Sequence, residues 1–484
     1  MRRPKVTEMG RATATRAPGG GVTERIEAKG WQAPALAATA SLAASMVYVI
    51  LGPGYVLDDW FTLSHAHFGG AWAAAGSAQQ TARPGAALVY AVVFGLVGQH
   101  PMVTLGILAV VGAATAALLV VVVRRFFGPG LALGTALLWV VFPNHTSLEV
   151  WASATNIALC VLLATTATLL LDSTSRRRQA GALVLFAGAA LCYEAIIPLA
   201  AVLILVVPWY RRGRPDWALT AAGAGALGAV AIWIVVHWHP DKHVASGVAD
   251  LSQALGAHFG WGIAPEGPIA SIIMIGGVIG VAVAAARLSL PSLRHHAGRA
   301  EAAVAVGCAV IILGTVPFAK YLYAPLGAGD RFNFVSSIGG ALVWAGLLAM
   351  VGAWRRELLV VAAVVVVGAG LATRGYRSLL WHRAGQDAVA IQQGVVAAIP
   401  QPSGTVVVGP APIQQQNIAA FLDQSNIQGA LALAYNSESV RAGLTFSDAQ
   451  FAQYPPGDRF DMRTVSQLRP DTTVEAGSGV IPRR

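Results

Sequence analysis

Charge is scarce in this chain. Asp, Glu, Lys and Arg make up 12% of its 484 residues, about half the share of a soluble domain. Apolar residues make up 55%. That balance excludes a soluble enzyme and a disordered chain. Lysine is nearly missing, with 4 of the 33 basic residues, the rest being arginine. The three cysteines, Cys160, Cys192 and Cys308, lie in apolar runs with no CxxC or Cys/His spacing. A zinc site and a disulfide framework are therefore unsupported, and the cysteines read as small packing residues. No repeat of fixed period is present. The basic, Gly- and Pro-rich start lacks an apolar stretch, so it is not a cleavable signal peptide. Residues 1–33 read as a disordered cytoplasmic tail.

Long apolar runs are abundant. Eleven of them, near 34–53, 102–123, 131–143, 156–171, 180–193, 195–210, 217–237, 269–286, 301–319, 335–353 and 358–373, suit membrane helices. A twelfth run, 84–99, reaches only about 24 Å as a helix, against a hydrocarbon core of about 30 Å. Basic residues decide its placement. If it does not cross, 20 basic residues before the C-terminal tail fall on the N-terminal side of the membrane and 4 on the other. That asymmetry fits the positive-inside rule, and crossing would destroy it. The run 84–99 is thus expected to lie along the outer membrane face. The net charge of +10 reads as orientation and not as affinity for nucleic acid. The expected fold is an all-α polytopic membrane protein. It has about 11 transmembrane helices over 34–373, plus a surface helix in the first outer loop. Its N-terminus is cytoplasmic.

Composition changes at 374–484, which is expected to form a small extracytoplasmic α/β domain. Thr405 to Val408 reads as a strand ended by Gly409-Pro410, Ile413 to Asp423 as a helix and Ala430 to Tyr435 as a second strand.

Candidate site residues crowd the outer face. Asp58 and Asp59 follow the first span. Two adjacent carboxylates at a membrane boundary repel each other unless something uses them. One can take a proton from an acceptor hydroxyl or bind a metal while the other orients it. The alternative is a solvated helix start. Asp58, Thr62 and His65 would share a helical face. Arg83-Pro84 opens the short helix, and a guanidinium there can grip a phosphate with two parallel bonds or pair with the carboxylates. His145 and Glu149 stand four residues apart after Phe142-Pro143. Glu194 interrupts an apolar stretch, which demands a partner or a polar cavity. Asp330-Arg331 precedes a late span, beyond Lys320, Tyr321 and Tyr323. The loop 238–268 holds His239 and His243 at a spacing that is not diagnostic of a metal. No cofactor is assigned, and a divalent metal stays open.

In this order, these residues resemble one family, the GT-C superfamily of integral-membrane glycosyltransferases. It includes the protein O-mannosyltransferases and the lipid A aminoarabinose transferases. The likeness rests on Asp58-Asp59 after the first span, and on Arg83-Pro84 leading a helix to Phe94-Gly95. It rests also on Phe142-Pro143 with Glu149 downstream, and on Arg331 at a late span. It covers roughly 34–350. Many members carry an acid and a lysine before the proline, where this chain has Ala82-Arg83. The resemblance implies transfer of a sugar from a polyprenyl-phosphate donor to a lipid, glycan or protein acceptor of the cell envelope, at the outer face of a bacterial plasma membrane. Asp58 or Asp59 would be the base, and Arg83 and Arg331 would hold the donor phosphate. Glu149 or Glu194 would be a second acid or site support, as would His145. Two other classes stay open, a membrane transporter and a non-catalytic scaffold of the same architecture.

Overall fold

The computed structural model describes residues 31–52, 54–76, 82–237, 268–290, 298–318, 327–402, 404–410, 414–415, 418–421, 423–445 and 447–465. The expectations for the first thirty residues, for the loop with His239 and His243, and for Lys320, Tyr321 and Tyr323 lie outside these. All eleven long apolar runs are helical. In chain order the main helices are α1 (Gln32–Leu51), α2 (Asp58–Gly69), α3 (Pro84–Val92), α4 (Pro101–Phe127) and α5 (Pro129–Val141). Next come α6 (Thr155–Leu171), α7 (Arg176–Cys192), α8 (Ile197–Arg212) and α9 (Trp217–His237). The chain continues with α10 (Pro268–Ser289), α11 (Arg299–Thr315), α12 (Ser336–Trp354), α13 (Arg356–Ala398) and α14 (Gln424–Ala434).

Proline opens α3, α4 and α5, at the one helical position where a missing N–H costs nothing. Gly213, in the left-handed conformation, ends α8. Among the described residues, nine helices are long and apolar enough to cross a membrane. Of the eleven runs, the exceptions are α5, at 13 residues, and α7, at 17 with three arginines in its first turn. The architecture is that of an all-α membrane protein. Its interior is packed by Trp151, Trp381, Phe186, Phe334 and Ile204. Val360, Val364, Ile232 and Val236 point outward, as a lipid-facing surface requires.

α3 continues through a wider helical turn at Val93–Val97. It packs against the end of α7 so closely that a Cβ on Gly85 would lie 2.8 Å from the Cys192 backbone. At the opposite end of the bundle, acids tie the loops together. Asp172 accepts from Arg125 and Arg211, Asp216 from Arg176 and Arg212, and Glu301 from Arg287.

α13 is a single helix of 43 residues, so the boundary read at 373/374 falls inside it. Beyond it, β1 (Thr405–Gly409) is the centre of a three-stranded parallel sheet, between β4 (Arg441–Leu444) and β5 (Arg459–Asp461). β2 (Gln414–Gln415) and β3 (Ile418–Ala419) form a short antiparallel ladder. Two expectations are corrected here. The stretch read as a helix from Ile413 to Asp423 contains that ladder. The stretch read as a strand from Ala430 lies in α14, capped by the Asp423 side chain.

Candidate functional site

The acidic pair opens α2. Leu57, just before it, has φ +54° and ψ −129°, a backbone state that costs a non-glycine residue about 1–3 kcal/mol and persists where surroundings enforce it. The Leu57 N–H donates to the Ala420 carbonyl at 3.2 Å. The two carboxylates then meet different surroundings. Asp59 is 1% exposed. Its Oδ1 accepts from the Ser153 N–H at 2.8 Å and the Ser153 hydroxyl at 2.6 Å, and its Oδ2 accepts from the Val56 N–H at 3.2 Å. Burial pushes the Asp59 carboxyl up to about 7, against the pull of the Ser153 and Val56 bonds, with the Asp58 charge adding to the rise. Asp58 is half-buried. Its Oδ1 accepts from the Asn426 amide at 3.3 Å.

Arg83 caps the start of α3 and turns toward the break between α7 and α8. Its guanidinium donates to both Glu194 carboxylate oxygens, at 2.7 and 2.6 Å, and lies over the Tyr193 ring at 4.7 Å. Glu194 thus sits in the turn between two helices and is paired. Arg331 rests over the rings of Trp151 (4.8 Å) and Phe332 (5.0 Å). Tyr90 links these parts. Its hydroxyl donates to the Ser153 carbonyl at 2.7 Å, and Asp58, Asp59, Arg331 and Arg83 all act on it electrostatically. The four residues singled out for chemistry therefore all act electrostatically on one tyrosine.

His145 and Glu149 belong to a second cluster. Glu149 pairs with Arg374, which also donates to the Val140 carbonyl. His145 Nε2 lies 3.7 Å from Glu149, and its ring stacks on Trp139 at 4.7 Å. Arg377, one turn beyond Arg374 on α13, donates to the Pro143 carbonyl at 2.8 Å and lies 3.7 Å from Asp330. Asp330 accepts from the Ser147 N–H at 3.0 Å. Burial raises its carboxyl to about 6, opposed by Arg377 and Ser147. This cluster fixes the turn that presents Arg331.

Asp58, Thr62 and His65 share one face of α2, where Thr62 donates to the Asp58 carbonyl and His65 is exposed. Among the described residues, no group of three or more His, Cys, Asp or Glu is placed to hold a metal ion. The three cysteines are free.

An apolar cavity of about 630 Å³ lies between α4, α6, α8, α11 and α12. One end reaches Ile196 and Val335, close in sequence to Glu194 and Arg331. The other reaches Tyr210 and Arg299. Sequence reasoning missed Tyr90, Ser153, Asn426, Arg374 and Arg377. The two arginines carry a signal, since charges three apart on an apolar helix need buried partners. The three neutral residues carry none. Comparison with known protein families and with curated proteins finds no match for this chain.

Proposed function

We propose that the protein is a glycosyltransferase that moves a sugar from a polyprenyl-phosphate donor to a hydroxyl or amine of a cell-envelope acceptor. In this reading the acidic pair and the C-terminal unit face the outside and the N-terminus is cytoplasmic. The observation that carries it is that Ser153 joins Asp59 to Tyr90 by hydrogen bonds while Arg331 lies over Trp151, two residues before it; an apolar cavity that reaches Ile196 and Val335 could take a lipid chain.

Asp58, the more exposed of the pair, takes the proton as the acceptor oxygen or nitrogen attacks the anomeric carbon. The bond from that carbon to the phosphate oxygen breaks, and the electron pair leaves with the phosphate. Arg331, held over two aromatic rings, offsets the charge that grows there, as does Arg83. Asp59, fastened to Ser153, holds the start of α2 in place. Arg83 is already neutralised in part by Glu194, so Arg331 carries the larger share of phosphate binding.

Native mass spectrometry of the detergent-purified protein should detect a polyprenyl-phosphate sugar, and Arg331→Ala should lose it. Asp58→Asn should cut transfer by about 100-fold or more. Full transfer by both Asp58→Asn and Asp59→Asn would remove the carboxylates from the chemistry. A transporter is the second reading, favoured by the buried cluster of Glu149, Arg374, Arg377 and Asp330, since such groups line ion pathways. Substrate flux in reconstituted vesicles separates the two.

A further inference from the structure

The C-terminal unit meets the segment around the acidic pair, Leu57 to Trp60, at three points. Ala420 accepts the backbone N–H of the strained Leu57. α14 then lies across α2 so closely that a Cβ on Gly429 would sit 2.5 Å from the Trp60 carbonyl oxygen. Only glycine allows this approach. Between these contacts stands Asn426, fully buried. Its backbone N–H donates to the Asp423 carboxylate at 3.0 Å, which fixes the first turn of α14. Its side-chain amide donates to Asp58 Oδ1 and reaches Ser425 Oγ at 3.5 Å. A donor to Asp58 therefore comes from a part of the chain more than 360 residues away.

We propose that Asn426 is a positioning residue for the Asp58 carboxylate, supplied by the C-terminal unit, so that the acceptor side of the site is complete only while α14 is seated on α2. This rests on the reading of Asp58 as the group that receives the acceptor proton. An amide N–H fixes which way a carboxylate faces and favours its ionised form. Asp59 on its own helix and Tyr90 on α3 are electrostatically coupled to Asp58, and Asp423 caps α14. All three side chains are retained in the Asn426 variants.

The test uses the full chain in detergent and needs no substrate. A water-soluble carbodiimide with glycine ethyl ester labels protonated carboxyls, and peptide mass spectrometry reads Asp58 and Asp59 separately across pH. Asn426→Ala should raise the midpoint for Asp58 by about one pH unit and leave that of Asp59, whose Ser153 and Val56 donors are intact. Asn426→Asp, which keeps the shape and replaces the donor with an acceptor, should raise it further. An unchanged Asp58 midpoint in both variants, or equal shifts at Asp58 and Asp59, would overturn the role of Asn426. Full transfer by Asp58→Asn overturns the functional reading instead, so the two failures are distinct.

Discussion

Asp58 and Asp59 are neighbours in the chain yet differ in kind. Asp59 is locked by three donors in a buried setting that raises its carboxyl to about 7, whereas Asp58 is half-buried and accepts from the Asn426 amide. The raised value has a consequence for stability. Between about pH 4, where a free aspartate ionises, and about pH 7, the folded protein holds a proton at Asp59 that the unfolded chain has lost. The stabilisation from this group is complete below about pH 4 and disappears as pH rises through 7, a change of order 4 kcal/mol. Thermal unfolding in detergent should fall over that window, and Asp59→Asn should flatten the fall. An equal pH dependence in the variant would show that other groups set it. The charged members of the site were legible in the sequence because charge is so rare in apolar surroundings. Tyr90, Ser153 and Asn426 were not, because a neutral polar residue can be satisfied almost anywhere and nothing local says by what.

Helices and strands were legible to different degrees. Each long apolar run is helical because a backbone in lipid must satisfy its own hydrogen bonds. The short run at 84–99 also gives a helix, opened by its proline. The C-terminal readings failed where apolar and small residues alternate. In Gly429-Ala430-Leu431-Ala432-Leu433-Ala434 the period of two imitates a strand, yet Ala and Leu are strong helix formers and Asp423 supplies the cap. The arginines of α13 show the same limit, since Arg374 and Arg377 count as tail charges until the helix is seen to continue past them. Their pairing is structural in its energetics. Arg374→Ala should destabilise the protein by about 3–5 kcal/mol, because Glu149 is left buried and charged. Arg374→Met combined with Glu149→Leu should recover most of that loss, since apolar replacements leave no unpaired charge. Thermal unfolding of the single and double variants decides it, and a double variant as unstable as the single would refute the pairing argument.

At the scale of the whole molecule, the site and the arginine-rich loops occupy opposite ends of the bundle. Asp172, Asp216 and Glu301 brace the loop end by holding five arginines between them. Acids weigh little in membrane orientation, so under the proposed topology the basic residues would still direct that end inward. A membrane-impermeant maleimide should label Ser439→Cys in intact cells and reach Ser175→Cys only after permeabilisation. The opposite pattern would invert the orientation. The two ends are also joined mechanically. α13, at 43 residues, is about 64 Å long, roughly twice the thickness of a hydrocarbon core. Its far half is clamped to the body: Trp381 is fully buried, and Gly385 meets Gly54 so closely that a Cβ on Gly385 would lie 3.1 Å from the Gly54 Cα. The helix is thus a spine that ties the approach to the acidic pair and the C-terminal unit to one support.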